Sequence, residues 1–83
     1  MYYLSGVPRS SDDADEHRAA FGRRLRELRQ RAGMTQQALA DVVGIDRSFI
    51  SDVETGRHSI AVDRAYQIAA ALGVSINDLF TTN

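Results

Sequence analysis

The sequence has 83 residues, no cysteine and a net charge of −1, which leaves room for one domain, since domains usually hold on the order of 100–200 residues. Without cysteine, disulfides and thiolate metal sites are excluded, so a chain this small must draw its stability from helix packing and a partner subunit. No apolar run approaches the roughly 18 residues of a membrane span, and Met1–Pro8 lacks a basic stretch followed by a long apolar one, so a cytoplasmic protein with no membrane contact is expected.

In chain order, residues 1–14 are expected to form an N-terminal arm and residues 15–83 the domain. The arm carries Ser, Gly and Pro without regular periodicity, together with Tyr2, Tyr3, Leu4 and Val7. A first helix is predicted over Asp15–Ala32, with Phe21, Leu25, Leu28 and Ala32 on one apolar face. Acidic residues gather at its start and arginines at its end, both favoured by the helix dipole; Gly33 suits the left-handed stop. Thr35 can cap a second helix, Gln36–Val43, whose inner residues are Leu39, Ala40 and Val43. Gly44 ends it, and Asp46 can cap a third, Arg47–Glu54, with Ile50 and Val53 inside and Gly56 as its stop. A fourth, Val62–Leu72, carries the stripe Ala65, Ile68, Ala69 and Leu72 and ends at Gly73. Ser75 and Asp78 form a capping-box pattern that opens a last turn with Ile76, Leu79 and Phe80. No alternating stretch predicts a strand, so the expected class is all-α with five helices.

The functional signal lies in the second and third helices. Two short helices crossing at a tight turn need a small residue at the contact, supplied by Ala40, and a turn residue tolerant of positive φ, supplied by Gly44. The outer face of the third helix then carries Arg47, Ser48, Ser51 and Asp52, spaced three or four apart. Short polar side chains with one arginine suit the reading of base edges in a major groove. Phe49 has two readings, packing beside Val53 or touching a thymine methyl. His17 and His58 show no ligand spacing, and no glycine-rich phosphate loop or activated nucleophile is visible. No metal, no cofactor and no enzymatic activity are therefore expected.

Leu28-Arg29, Gly33-Met34-Thr35-Gln36, Leu39-Ala40, Val43-Gly44, Ile50-Ser51, Glu54, Gly56, Ile68-Ala69 and Ala71-Leu72-Gly73-Val74 together make the stretch Leu25–Phe80 resemble the Cro/repressor-type, or Xre, helix-turn-helix family. Restriction-modification controller proteins are small members of it, and Asp46–Ser51 resembles their corresponding segment. The resemblance implies a compact five-helix, lambda-repressor-like domain whose third helix enters the major groove of double-stranded DNA while the second crosses the backbone. It places Arg47, Ser48, Ser51 and Asp52 at base-reading positions, Gln36 at a phosphate or base contact, and Arg57 and His58 in a phosphate-touching loop. It matches Arg29 and Glu54 to a pair tying the first helix to the third; a carboxylate there repels DNA unless so satisfied. It turns much of the arginine-rich first helix away from the groove, with Glu27 offsetting some of its charge.

Val74, Ile76, Leu79 and Phe80 are expected to serve partly as a lid on the core and partly as a homodimer interface. Such a dimer would set two recognition helices about 34 Å apart on a near-palindromic operator. The expected function is transcriptional regulation, with RNA polymerase as a possible further partner. The alternatives are an antitoxin using the arm to hold a toxin protein, and an adaptor without DNA binding. Two features depart from the family pattern: the acidic Asp52 on the recognition face, and the few basic residues after it.

Overall fold

The computed structural model describes residues 11–81. It contains five helices: α1 (Ser11–Arg31), α2 (Gln36–Val43), α3 (Arg47–Glu54), α4 (Val62–Leu72) and α5 (Ile76–Phe80). The described residues contain no strand. The bounds of α2, α3 and α4 coincide with those read from the sequence. The first helix differs, being already helical at Ser11 and ending at Arg31. Nothing between Ser11 and Ala14 breaks a helix, and carboxylates there suit the positive end of the dipole. Tyr2, Tyr3, Leu4 and Val7 of the expected arm lie outside the described residues.

The short helices are held at their ends. Thr35 accepts the Ala38 N–H at 2.9 Å, and Gly44, at φ 81°, turns the chain after α2 while its N–H donates to the Ala40 carbonyl at 2.8 Å. Arg64 reaches over from α4 to donate to the Val43 carbonyl at 3.4 Å. Asp46 stands at the N-cap of α3, but its side chain makes no cap bond. That turn is closed instead by the Asp46 carbonyl, which accepts from Phe49 and Ile50 at 3.0 and 3.3 Å. Ser75 and Asp78 exchange both bonds of a capping box, at 3.0 and 3.2 Å.

One core joins all five helices. Leu25, Leu39, Ile50, Val53, Ile68 and Leu79 are its largest fully buried side chains. Ala32, expected on the apolar face of the first helix, is exposed, because α1 has ended before it. The five-residue α5 closes the open end of the core with Leu79. Phe80 leans on Phe21, with ring centroids 5.0 Å apart, and Arg24 donates to the Asp78 carbonyl at 2.7 Å. A tilted aromatic pair and a charge-assisted bond thus hold a helix too short to persist alone.

Gly22, which the sequence reading passed over, sets how closely α1 meets α3. A Cβ at this position would stand 2.3 Å from the Val53 carbonyl oxygen and 2.6 Å from that of Glu54. Just beyond α3, Gly56 sits at φ 79°, where a Cβ would lie 3.1 Å from the Ala19 Cα. Ala19 and Gly22 therefore make a seam on α1 that receives the end of α3 backbone to backbone. In an ordinary helix interior, Gly→Ala stabilises by about 1 kcal/mol. Gly22→Ala is expected to do the reverse, destabilising by about 1–3 kcal/mol through forced separation of the two helices. Urea denaturation reads the sign directly, and a raised midpoint would contradict the close approach.

Candidate nucleic-acid interface

The turn after α2 sets α3 across it, and the apolar residues Ile50 and Val53 press α3 inward. The side chains left outside begin with Arg47 and Ser48, both exposed at the helix start; Ser51 and Asp52 follow, half-buried one turn later. Phe49 is also half-buried, and its ring lies 5.5 Å from that of His58. It packs against the core cluster that holds Val53 and also meets the loop after α3 through His58.

Asp52 finds its partner in the loop that follows α3. Its carboxylate lies 3.9 Å from Arg57 Nη1, and its carbonyl accepts the Arg57 N–H at 2.8 Å. The side-chain pair is loose and solvated, worth at most about 1 kcal/mol. It does set a positive charge beside the Asp52 carboxylate. Arg57 and His58 are exposed in the loop that continues this face.

Behind α3 lies a buried ion pair. Arg29 Nε donates to Glu54 Oε2 at 2.6 Å and Arg29 Nη2 to Oε1 at 3.0 Å, a two-pronged contact between the last turn of α1 and the last residue of α3. The third prong, Nη1, donates to the Met34 carbonyl at 2.8 Å, tying in the loop before α2. Contact with Glu54 holds the Arg29 guanidinium above its ordinary range, through the hydrogen bond first and against the lowering effect of burial. It is charged at any working pH. The carboxylate also accepts from Gln36, whose Nε2 lies 3.0 Å from Oε1, and Gln36 Oε1 in turn accepts from Arg47 Nη1 at 3.3 Å. Gln36 thus stands half-buried between the hidden pair and the exposed face. This bridge was not foreseen from the sequence, where the two residues it joins are 18 and 11 positions away.

The other predicted positions separate by burial. Leu79 is fully buried in its own chain, Val74 and Ile76 are half-buried, and Phe80 is 56% exposed. On α1, Glu27 pairs with Arg24 at 2.8 Å and lies 3.9 Å from Arg31, while Arg23 and Arg26 are exposed. Among the described residues, no group of three or more His, Asp or Glu side chains could hold a metal ion.

A helix-turn-helix family model, HTH_3, matches residues 25–79, a span that includes both crossing helices, the ion pair and the lid. The chain belongs to this helix-turn-helix family. It is 38% identical over 68 residues to the control protein C.BamHI of Bacillus amyloliquefaciens, covering 78% of this chain and 84% of the relative. Its fold matches the crystal structure of the restriction-modification controller protein C.AhdI from Aeromonas hydrophila, with TM-score 0.74 and 38% identity over 76% of this chain and 96% of the other. It also matches a hypothetical transcription factor, NHTF, from Neisseria, with TM-score 0.76 and 34% identity over 92% and 87% of the two chains. As a member of the HTH_3 family, the chain is a DNA-binding transcriptional regulator.

The buried pair gives a stability prediction. Arg29→Ala, or Glu54→Ala, strands a charge in the interior and should destabilise by about 3–5 kcal/mol. The double replacement Arg29→Met/Glu54→Met should recover most of that loss, because apolar residues of similar length often replace a buried ion pair at little penalty. Urea midpoints of the three variants test this, and a double variant no more stable than either single one contradicts it.

Proposed function

We propose that the chain acts as a homodimer on a near-palindromic operator, with α3 in the major groove and Arg47 and Ser48 reading base edges at its start. The observation that carries this reading is the division of α3. Its inner side is tied to α1 by the core and the Glu54 carboxylate, while its N-terminal outer side is free of the rest of the domain except for the Gln36 contact. A helix held from behind and open at its first turn has the geometry with which helix-turn-helix proteins enter the groove. Ser51 and Asp52 border the same face, with Phe49 beneath it. Gln36 stands at the start of α2, where backbone N–H groups favour a phosphate, and Arg57 and His58 supply further phosphate contacts. With a net charge of −1, attraction to DNA depends on this local grouping rather than on the whole molecule.

The exposed apolar residues support the dimer. Phe80 and Val62, 56% and 72% exposed, border one shallow groove with Phe21 and Ile60, and Tyr66 stands one turn from Val62 along α4. Leu79 contributes as the lid beneath this surface, so Phe80 becomes the centre of the contact, with Val74 and Ile76 at its margin. Likeness to C.BamHI and C.AhdI supports control of a restriction-modification operon as the biological setting.

Selection from randomised duplex DNA at moderate salt, followed by sequencing, tests the reading. The expected outcome is a two-fold symmetric site with half-sites one helical turn apart and affinity that falls steeply with salt. Binding without sequence enrichment, or no binding, overturns it. Arg47→Ala should weaken binding to the selected site by about 1–3 kcal/mol, whereas Arg57→Ala should weaken all sequences alike and lower the salt slope by about one. Phe80→Glu should convert the dimer to a monomer in sedimentation analysis; a dimer surviving it places the interface elsewhere.

A further inference from the structure

The amide of Gln36 lies between two partners that demand the same orientation. On the inner side its Nε2 donates to Glu54 Oε1 at 3.0 Å; on the outer side its Oε1 accepts from Arg47 Nη1 at 3.3 Å. Turning the amide over would set oxygen against carboxylate and NH2 against guanidinium, replacing two attractions by two repulsions. The carboxylate that dictates this choice cannot itself turn, since both its oxygens are gripped by Arg29. An unbroken chain of polar contacts therefore runs from the buried end of α3 to the exposed side chain at its beginning.

We propose that Glu54 is a positioning residue for DNA recognition, acting through Gln36 to set the direction in which the Arg47 guanidinium faces the major groove. The inference rests on the base-reading role proposed above for Arg47. A guanidinium distinguishes guanine when two of its N–H groups are aligned with O6 and N7 together, and a long, exposed arginine side chain has many other rotamers to occupy. Gln36 takes one N–H and holds that end against the protein, leaving the remaining donors to face outward. Asp52, a carboxylate on the same face, is beside Arg57, and the acceptor that meets Arg47 is Gln36. The buried pair then does more than hold the helices together, because it sets the polarity of the side chain on which the reading group leans.

The test uses the full chain and the operator obtained by selection. Repeating the selection with Arg47→Ala identifies the base pair whose preference this arginine carries. Gln36→Met removes the bridge, and Arg29→Met/Glu54→Met removes its anchor while leaving Gln36 in place. Both should lower discrimination at that base pair by about tenfold; the double variant, which keeps Gln36, should leave the salt slope and the preferences at other base pairs unchanged. A purely structural loss would weaken every sequence alike. Adding Gln36→Met to the double variant should lower discrimination at that base pair no further, since one chain of contacts is broken only once. If the double variant does not fold, Glu54→Asp decides: it keeps a charge for Arg29 but draws the oxygen back from Gln36, and the same loss is expected. A preference lost in Arg47→Ala but kept in Gln36→Met, in the folded double variant, or in the Glu54→Asp fallback, overturns the positioning role alone. If Arg47→Ala alters no base preference, the reading of Arg47 falls and the positioning role with it.

Discussion

A carboxylate buried at the end of α3 needs close partners, and the arrangement of this domain follows from how that carboxylate is satisfied. Glu54 accepts two hydrogen bonds from Arg29 and one from Gln36. Removing a charge from water carries a penalty of several kcal/mol, offset only when its partners are close and correctly aimed. The last turn of α1, the start of α2 and the end of α3 must therefore meet at one place. Met34 joins them through its carbonyl, which holds the third prong of Arg29. The pair is weak evidence for stability in itself, but it penalises every arrangement in which these three segments do not converge.

The apolar core has the complementary role. Leu25, Leu39, Ile50 and Ile68 draw the helices together without specifying direction, while the polar cluster and the seam at Ala19 and Gly22 select how they meet. The core also explains why so short an α5 persists. Leu79 is buried beneath it, Phe80 rests on Phe21, and Arg24 holds the Asp78 carbonyl. The same element that completes the core thus carries an exposed aromatic ring at its edge.

Much of this was legible in the sequence because the helices are punctuated by local chemistry. Thr35, Gly44, Gly56, Gly73 and the Ser75–Asp78 box each act within a turn of themselves, and the bounds of α2, α3 and α4 follow from them. The start of α1 was less legible, because Ser11–Ala14 carries no signal that separates an arm from a helix. Asp46 has the sequence of a cap and the backbone of one, yet its carboxylate stays out of the bond; composition cannot show where a side chain turns. Candidate site residues could be picked out as a pattern, but the contacts among them could not. Gln36 touching both Glu54 and Arg47 depends on how α2 and α3 cross, and Asp52 lying beside Arg57 on how the loop turns after α3. Gly22 left one trace, a helix-weakening residue in the middle of a 21-residue helix, which signals that something approaches too closely for a side chain.

The seam at Gly22 also bears on how such a protein can change its target. Where two helices meet through side chains, substitutions in the contact can tilt or slide one against the other by small steps. Where they meet through backbone atoms, no such graded adjustment is available. The end of α3 is therefore seated at one depth and one angle, whatever residues its outer face displays. On the proposed reading of α3, exchanging Arg47, Ser48, Ser51 or Asp52 would change sequence preference on an unmoved support, so that specificity could diverge while the geometry of docking is kept.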